Sequence, residues 1–271
     1  MRGHRGFQTM SATSLPEIRE AEAPPAIAAI YADLNEGIGI GQVNLIWRHA
    51  AALPGVLDWL WAQAAPALAS GAAAAARDGI AAAITLPMPA ASAKPQDHAA
   101  IAALVEIYNR GNLTNLALLS AILLRAQGMA PGARPAPAAR GAMLPAPPPL
   151  PRLAALPPAQ QAEISALTAA HGLSDAAVVP SLYLHLALWP EFLARLPELL
   201  ASLQAEQGLM RARDAAVAAA RDAAPGLIAA LGPAPASPPG LPEFMKRLAV
   251  FVDQVIPGMV PVGVFLRRAL A

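Results

Sequence analysis

None of the 271 residues is a cysteine. That removes a disulfide framework, thiolate metal sites and a cysteine nucleophile, and it suits a bacterial cytoplasmic protein. Charged residues make up only 14% and the formal net charge is +1. With no long charge run, the clustered basic face that nucleic-acid binding needs is missing. Long apolar runs are missing too, although a spanning helix needs about 20 mostly apolar residues. The best candidate, VIPGMVPVGVFL (255–266), is shorter, holds two prolines and is closed off by Asp253 and by Arg267 and Arg268. LALLSAILL (116–124) is shorter still, and the N-terminal stretch has no apolar core of a secretory signal. The expectation is a soluble protein with neither nucleic acid nor membrane as partner. GIGIG (37–41) is not G-x-G-x-x-G and follows a helical pattern rather than a strand. A P-loop, H-E-x-x-H and a G-x-S-x-G elbow are likewise absent.

What remains is mostly alanine and leucine, with aromatics at 4%. Ala and Leu lose least on entering a helix, so bursts of them predict an all-α fold. The 29 prolines gather mainly between those bursts and read as punctuation. MRARDAAVAAARD (210–222) spaces its charges as a solvated helix face.

The chain also repeats itself. VNLIWRHAAALP (43–54) and VPSLYLHLALWP (179–190) share register, with an aromatic at Trp47 and Tyr183, a histidine at His49 and His185, and a closing proline. PPAIAAIYADL (24–34) likewise echoes PPAQQAEISAL (157–167), and YNRGNLTNLALLSAILLRA (108–126) lies opposite FVDQVIPGMVPVGVFLRRA (251–269). Two copies are too few for a solenoid. They predict two helical repeats, 16–129 and 152–271, joined by a Pro/Ala-rich extended linker at 130–151, with 1–15 as a disordered tail. Two such repeats are expected to face each other as an intrachain pseudo-dimer around a central cavity. A homodimer is the protein partner left open.

Two stretches could carry chemistry at that cavity. On a helix, Tyr108, Asn112, Asn115 and Leu119 share one face, and the two amides and the phenol are costly to bury without partners. They read either as a hydrogen-bonding wall for a small polar substrate or water, or as a cap and buried network. In NLIWRH (44–49), Arg48 offers a planar fork for a carboxylate, while its counterpart in the second copy is Leu184. The paired His49 and His185 read as packed, hydrogen-bonded residues or as catalytic or ligating groups; no third ligand recurs at metal spacing.

YNRGN followed by an apolar helix, LPG closing the first repeated segment and S-x-x-x-x-x-A-x-W-P at 181–190 together resemble the group I 2-haloacid dehalogenases. That family acts on both D- and L-2-haloacids. The resemblance implies an all-helical two-repeat chain with no cofactor and no metal. It also implies a small-molecule carboxylate as ligand, with an apolar ligand as the alternative, and a water activated by an Asp that attacks Cα with no covalent intermediate. Asn112 matches the residue that positions the water, Ser181 the residue before the Asp, and Gln42 and Leu45 two pocket positions that are aromatic in the family. The Asp position itself reads Leu182. HGLSD (171–175) also resembles the stretch leading into the Asp, which would make Asp175 the base. The alternative is a relative without dehalogenase activity, with Leu182, Leu45, Asn112 and Tyr108 lining a cavity and Arg48 near a ligand's acid group.

Overall fold

The computed structural model describes residues 15–89, 95–171 and 179–271. No strand occurs among them. The helices before the linker are α1 (Pro25–Ile38), α2 (Leu45–Ala51), α3 (Val56–Ala69), α4 (Ala72–Ala83) and α5 (His98–Ala126). Those after it are α6 (Pro158–Ala169), α7 (Ser181–Leu186), α8 (Pro190–Gln204), α9 (Gly208–Ile228), α10 (Leu241–Val250) and α11 (Ile256–Ala269). A π turn at Phe251–Val255 joins α10 to α11, so the two run on as one 29-residue helix.

Local chemistry explains several of these boundaries. α1 and α6 both begin on a Pro-Pro pair, whose second member sits at the first helical position, where its missing N–H costs nothing. α1 ends at Gly39, left-handed at φ +80°, whose amide returns to the Asn35 carbonyl. The π turn has a local cause as well: Pro257 has no N–H to offer the Asp253 carbonyl one turn back.

The core is built around α5, which packs on α4, α9 and α11, while α9 also packs on α4 and α11. Where α5 crosses α11, the Gly263 carbonyl accepts from Asn109 Nδ2 at 2.9 Å, and a Cβ at Gly263 would fall 2.5 Å from Asn109 Oδ1. The shorter helices form outer layers, and they do so alike in both halves: α1 and α2 pack on α3, as α6 and α7 pack on α8. In both halves the short helix, α2 or α7, carries the repeated histidine.

Prolines do not always punctuate. Pro66, Pro197, Pro225 and Pro261 lie inside helices. Burial of the helix's apolar face outweighs the one lost hydrogen bond at each of these positions. The stretch 255–266 is likewise not an isolated apolar segment but the end of the 241–269 helix. That helix is long and apolar enough to cross a membrane, yet 78% of its most apolar window is buried inside the molecule.

The Pro/Ala-rich stretch 130–151 is extended, and it is held at many points. Its carbonyls accept from arginines that reach out of the helices: Arg110 to Ala142, Arg77 to Ala139 and Arg140. Its amides bond to other loops and helix ends, Ala138 to Gly71, Leu144 to Gly39 and Gly132 to Pro225. A segment poor in apolar side chains is thus anchored through its backbone.

Candidate functional site

A chamber of about 60 Å³ opens between α2, α5, α7 and the α10–α11 helix. Gln42, Leu45, Tyr108, Asn112, Ser181 and Leu182 all line it. These are residues from three separate stretches of sequence that the helix packing brings to one place. Apolar wall comes from the far end of the chain, at Phe251, Val255, Ile256 and Met259. Its polar groups are amides and hydroxyls; no charged side chain is among its described lining residues. Leu182, at the position where the resemblance requires an acid, is buried in that wall.

Asn112 is one turn after Tyr108 on α5, which turns both toward the chamber. Asn112 Oδ1 accepts from Asn44 Nδ2 at 3.3 Å, so its own amide NH2 remains to donate to an occupant. Gln42 Oε1 and Asn44 Oδ1 are buried with no partner among the described residues. The pair of orphan acceptors would be satisfied by the hydrogens of a water or a hydroxyl.

The most connected group on the wall is the Tyr108 phenol. His185 Nε2 lies 2.8 Å from the Pro148 carbonyl. A carbonyl only accepts, so Nε2 carries the ring proton and Nδ1 is the basic nitrogen. Tyr108 Oη is 2.6 Å from Nδ1 and therefore donates to it. The same phenol oxygen accepts from Gln42 Nε2 at 3.3 Å. Burial pushes the Tyr108 phenol well above its ordinary value, so it stays protonated. Burial holds His185 below the usual imidazole value; the Pro148 bond opposes this and the Arg48 charge adds to it.

Two sequence-predicted site residues are elsewhere. Arg48 is buried with its Nε 2.7 Å from Glu17 Oε2 and its Nη1 on the Val43 carbonyl. Its Nε is taken by a carboxylate that the sequence reading did not pair with it and its Nη1 by a backbone carbonyl, so it braces the N-terminal segment and is not among the chamber's lining residues. Asn115 accepts from Trp47 Nε1 at 2.6 Å and donates to the Gly111 carbonyl at 2.8 Å. It is a satisfied core amide, held between Trp47 of α2 and the backbone of its own helix. Asp175 lies outside the described residues.

The two repeated histidines are each anchored on a proline carbonyl, but through opposite ring nitrogens. His49 Nδ1 is 2.8 Å from the Pro16 carbonyl, whereas His185 reaches Pro148 through Nε2. Each ties down the segment that leads into its half. They differ at the other nitrogen: His185 holds Tyr108, whereas His49 Nε2 has no hydrogen-bond partner among the described residues. The residue opposite Tyr108 in the second copy is Phe251, which has no hydroxyl to offer. The Tyr108–His185 contact, the Asn44–Asn112 bond and the Phe251–Met259 wall were missed by sequence reasoning. The alignment of Phe251 with Tyr108 was the one available hint. A second buried pair, His171 Nε2 to Tyr183 Oη at 2.6 Å, lies off the chamber wall. Among the described residues no three His, Asp or Glu side chains gather as a metal site.

No family model and no curated protein matches the sequence. Solved structures do match in shape. A D-2-haloacid dehalogenase in complex with L-LA superposes with a TM-score of 0.77 at 18% identity, over 94% of this chain and 96% of that one. A mutant D-2-haloacid dehalogenase gives 0.75 at 16% identity, and a mutant with D-2-CPA gives 0.74 at 16%, both over the same shares. At such identity the likeness is one of fold: this chain has the all-helical fold of the D-2-haloacid dehalogenases.

Proposed function

We propose that the chamber binds a small 2-substituted carboxylic acid and that the chain hydrolyses the carbon–halogen bond of 2-haloacids. The observation that carries this reading is the convergence of Gln42, Leu45, Asn112, Ser181 and Leu182 on one chamber. Those five positions are the ones matched to the dehalogenase pocket on sequence grounds, and they come from both halves. The free NH2 of Asn112 supplies a donor for a water or for the acid group. The apolar wall suits the alkyl and halogen side of the substrate. With no cation on the described wall, the carboxylate is held by amide and hydroxyl donors, each worth about 1.5–3 kcal/mol when the acceptor is charged.

Incubation with D- and L-2-chloropropionate, following chloride and the configuration of the 2-hydroxy acid, tests the reading. Chloride release with inversion is expected. The variant Asn112→Ala should lower the rate by about 10²-fold or more, since a misplaced water loses its near-attack geometry. No chloride from either enantiomer would sink it.

Leu182 favours a second reading, a binding protein on the same scaffold that has given up the hydrolysis. In that case 2-chloropropionate raises the melting temperature while no chloride appears.

A further inference from the structure

The chamber's described wall has no carboxylate to take the proton of an attacking water, and residue 182 is a leucine. A hydrolysis there still needs a proton acceptor, since general-base assistance contributes about 10²–10⁴-fold. We propose that Tyr108 and His185 together are that acceptor, a two-residue proton relay reaching from the chamber to a basic nitrogen just behind its wall. The proposal rests on the haloacid reading above.

Geometry carries the argument. Tyr108 and Asn112 line the same chamber one turn apart on α5, so the relay has a water held by the Asn112 amide give its proton to the phenol oxygen. Among the described residues His185 is the side chain that accepts the Tyr108 proton, and its tautomer is locked by the Pro148 carbonyl with Nδ1 as the acceptor. The bond from Gln42 to the phenol oxygen is long, at 3.3 Å, and gives way to a water. The relay breaks the symmetry of the repeat. The first copy keeps the histidine, held to a backbone carbonyl through Nδ1 instead of Nε2, but among the described residues nothing bonds to its free nitrogen, His49 Nε2. A histidine that served only to hold its lead-in segment would not need the phenol.

The step balances. The water oxygen bonds to Cα while the carbon–halogen pair leaves as halide. One water proton moves to Tyr108 Oη as the phenol proton moves to His185 Nδ1. The products are the 2-hydroxy acid, halide and the His185 imidazolium. After they depart, the relay runs in reverse and returns the proton to chamber water. The phenol is never left as a phenolate, in keeping with its burial.

His185 acts through Tyr108, so its test needs a signature that packing alone would not move. Nitrogen-15 NMR of the full chain should show His185 as the Nε2–H tautomer, with the Nδ1 resonance shifted toward the free-acceptor value in Tyr108→Phe. His185→Gln keeps a donor near the Pro148 carbonyl and removes the basic Nδ1. With D- or L-2-chloropropionate, both variants should lose about 10²–10⁴-fold in kcat with KM little changed. Each is compared at a temperature where circular dichroism shows it folded.

The two failures are distinct. No chloride from the unaltered chain overturns the haloacid reading and this role with it. Chloride release that survives Tyr108→Phe and His185→Gln but is abolished by Asp175→Asn overturns the relay alone and makes Asp175 the base. An Nδ1–H tautomer at His185 overturns it as well, whatever the activity.

Discussion

His171 shows how far burial alone moves a side chain. It is 3% exposed, bonded to Tyr183, and held at about 4 against the ordinary 6.5 because burial disfavours the charged ring. Between those values the unfolded chain binds a proton that the folded chain refuses, so stability falls as pH drops from 6.5 to about 4. The full effect is about 3 kcal/mol, since each tenfold loss of proton affinity corresponds to about 1.36 kcal/mol. His49 and His185, both lowered chiefly by burial, act in the same direction. Urea unfolding at about pH 7.5 and about pH 4.5 should show the loss. It should shrink by about 2–3 kcal/mol in His171→Gln, which keeps a polar group near Tyr183. An unchanged pH dependence would mean that His171 is protonated in the fold. At this scale the sequence was legible where a residue's position is set by its own helix, as for Tyr108 and Asn112. It was illegible where a partner comes from afar: nothing near Arg48 announces that Glu17 will neutralise it.

Among the elements, the extended strap at 130–151 was visible as Pro/Ala-rich and non-helical, but its anchoring was not. The anchors are bonds to the strap's backbone, its carbonyls taken by arginines and its amides given to other loops and helix ends, and a backbone group has no letter in the sequence. Gly71 is where strap and helix come closest. It holds φ +76°, and a Cβ there would lie 2.6 Å from the Ala138 carbonyl oxygen. Gly71→Ala is expected to cost about 1–3 kcal/mol in urea unfolding, from backbone strain and crowding together. The strap should also be cut faster by a protease of broad specificity. Unaltered stability and cleavage would show that the strap yields freely. The prolines inside α3, α8, α9 and α11 carry the same lesson from the other side. A breaker read one residue at a time looks decisive, yet packing over a whole helix face outweighs it.

For the whole molecule, the long helices of both halves share one core, since α5 of the first packs on α9 and α11 of the second. Neither half buries its apolar faces alone. One cooperative transition is therefore expected. Tryptophan fluorescence, dominated by Trp47, Trp59 and Trp61 of the first half, should coincide with helix loss by circular dichroism across the whole chain. Separated transitions would mean that the halves unfold independently. The same sharing explains the most apolar helix, 241–269: the faces that would otherwise seek lipid are covered by α5 and α9.

What the sequence by itself determined was local and periodic. Ala and Leu propensity and the Pro-Pro starts were enough for the all-helical character and for where α1 and α6 begin. Only the tertiary structure decided which polar groups meet. The Tyr108–His185 bond, the exclusion of Arg48 from the chamber and the wall at Phe251–Met259 all join residues far apart in the chain. Helix formation is settled within a few turns, whereas a site is settled by where helices cross. That crossing depends on the shape of every side chain buried between them.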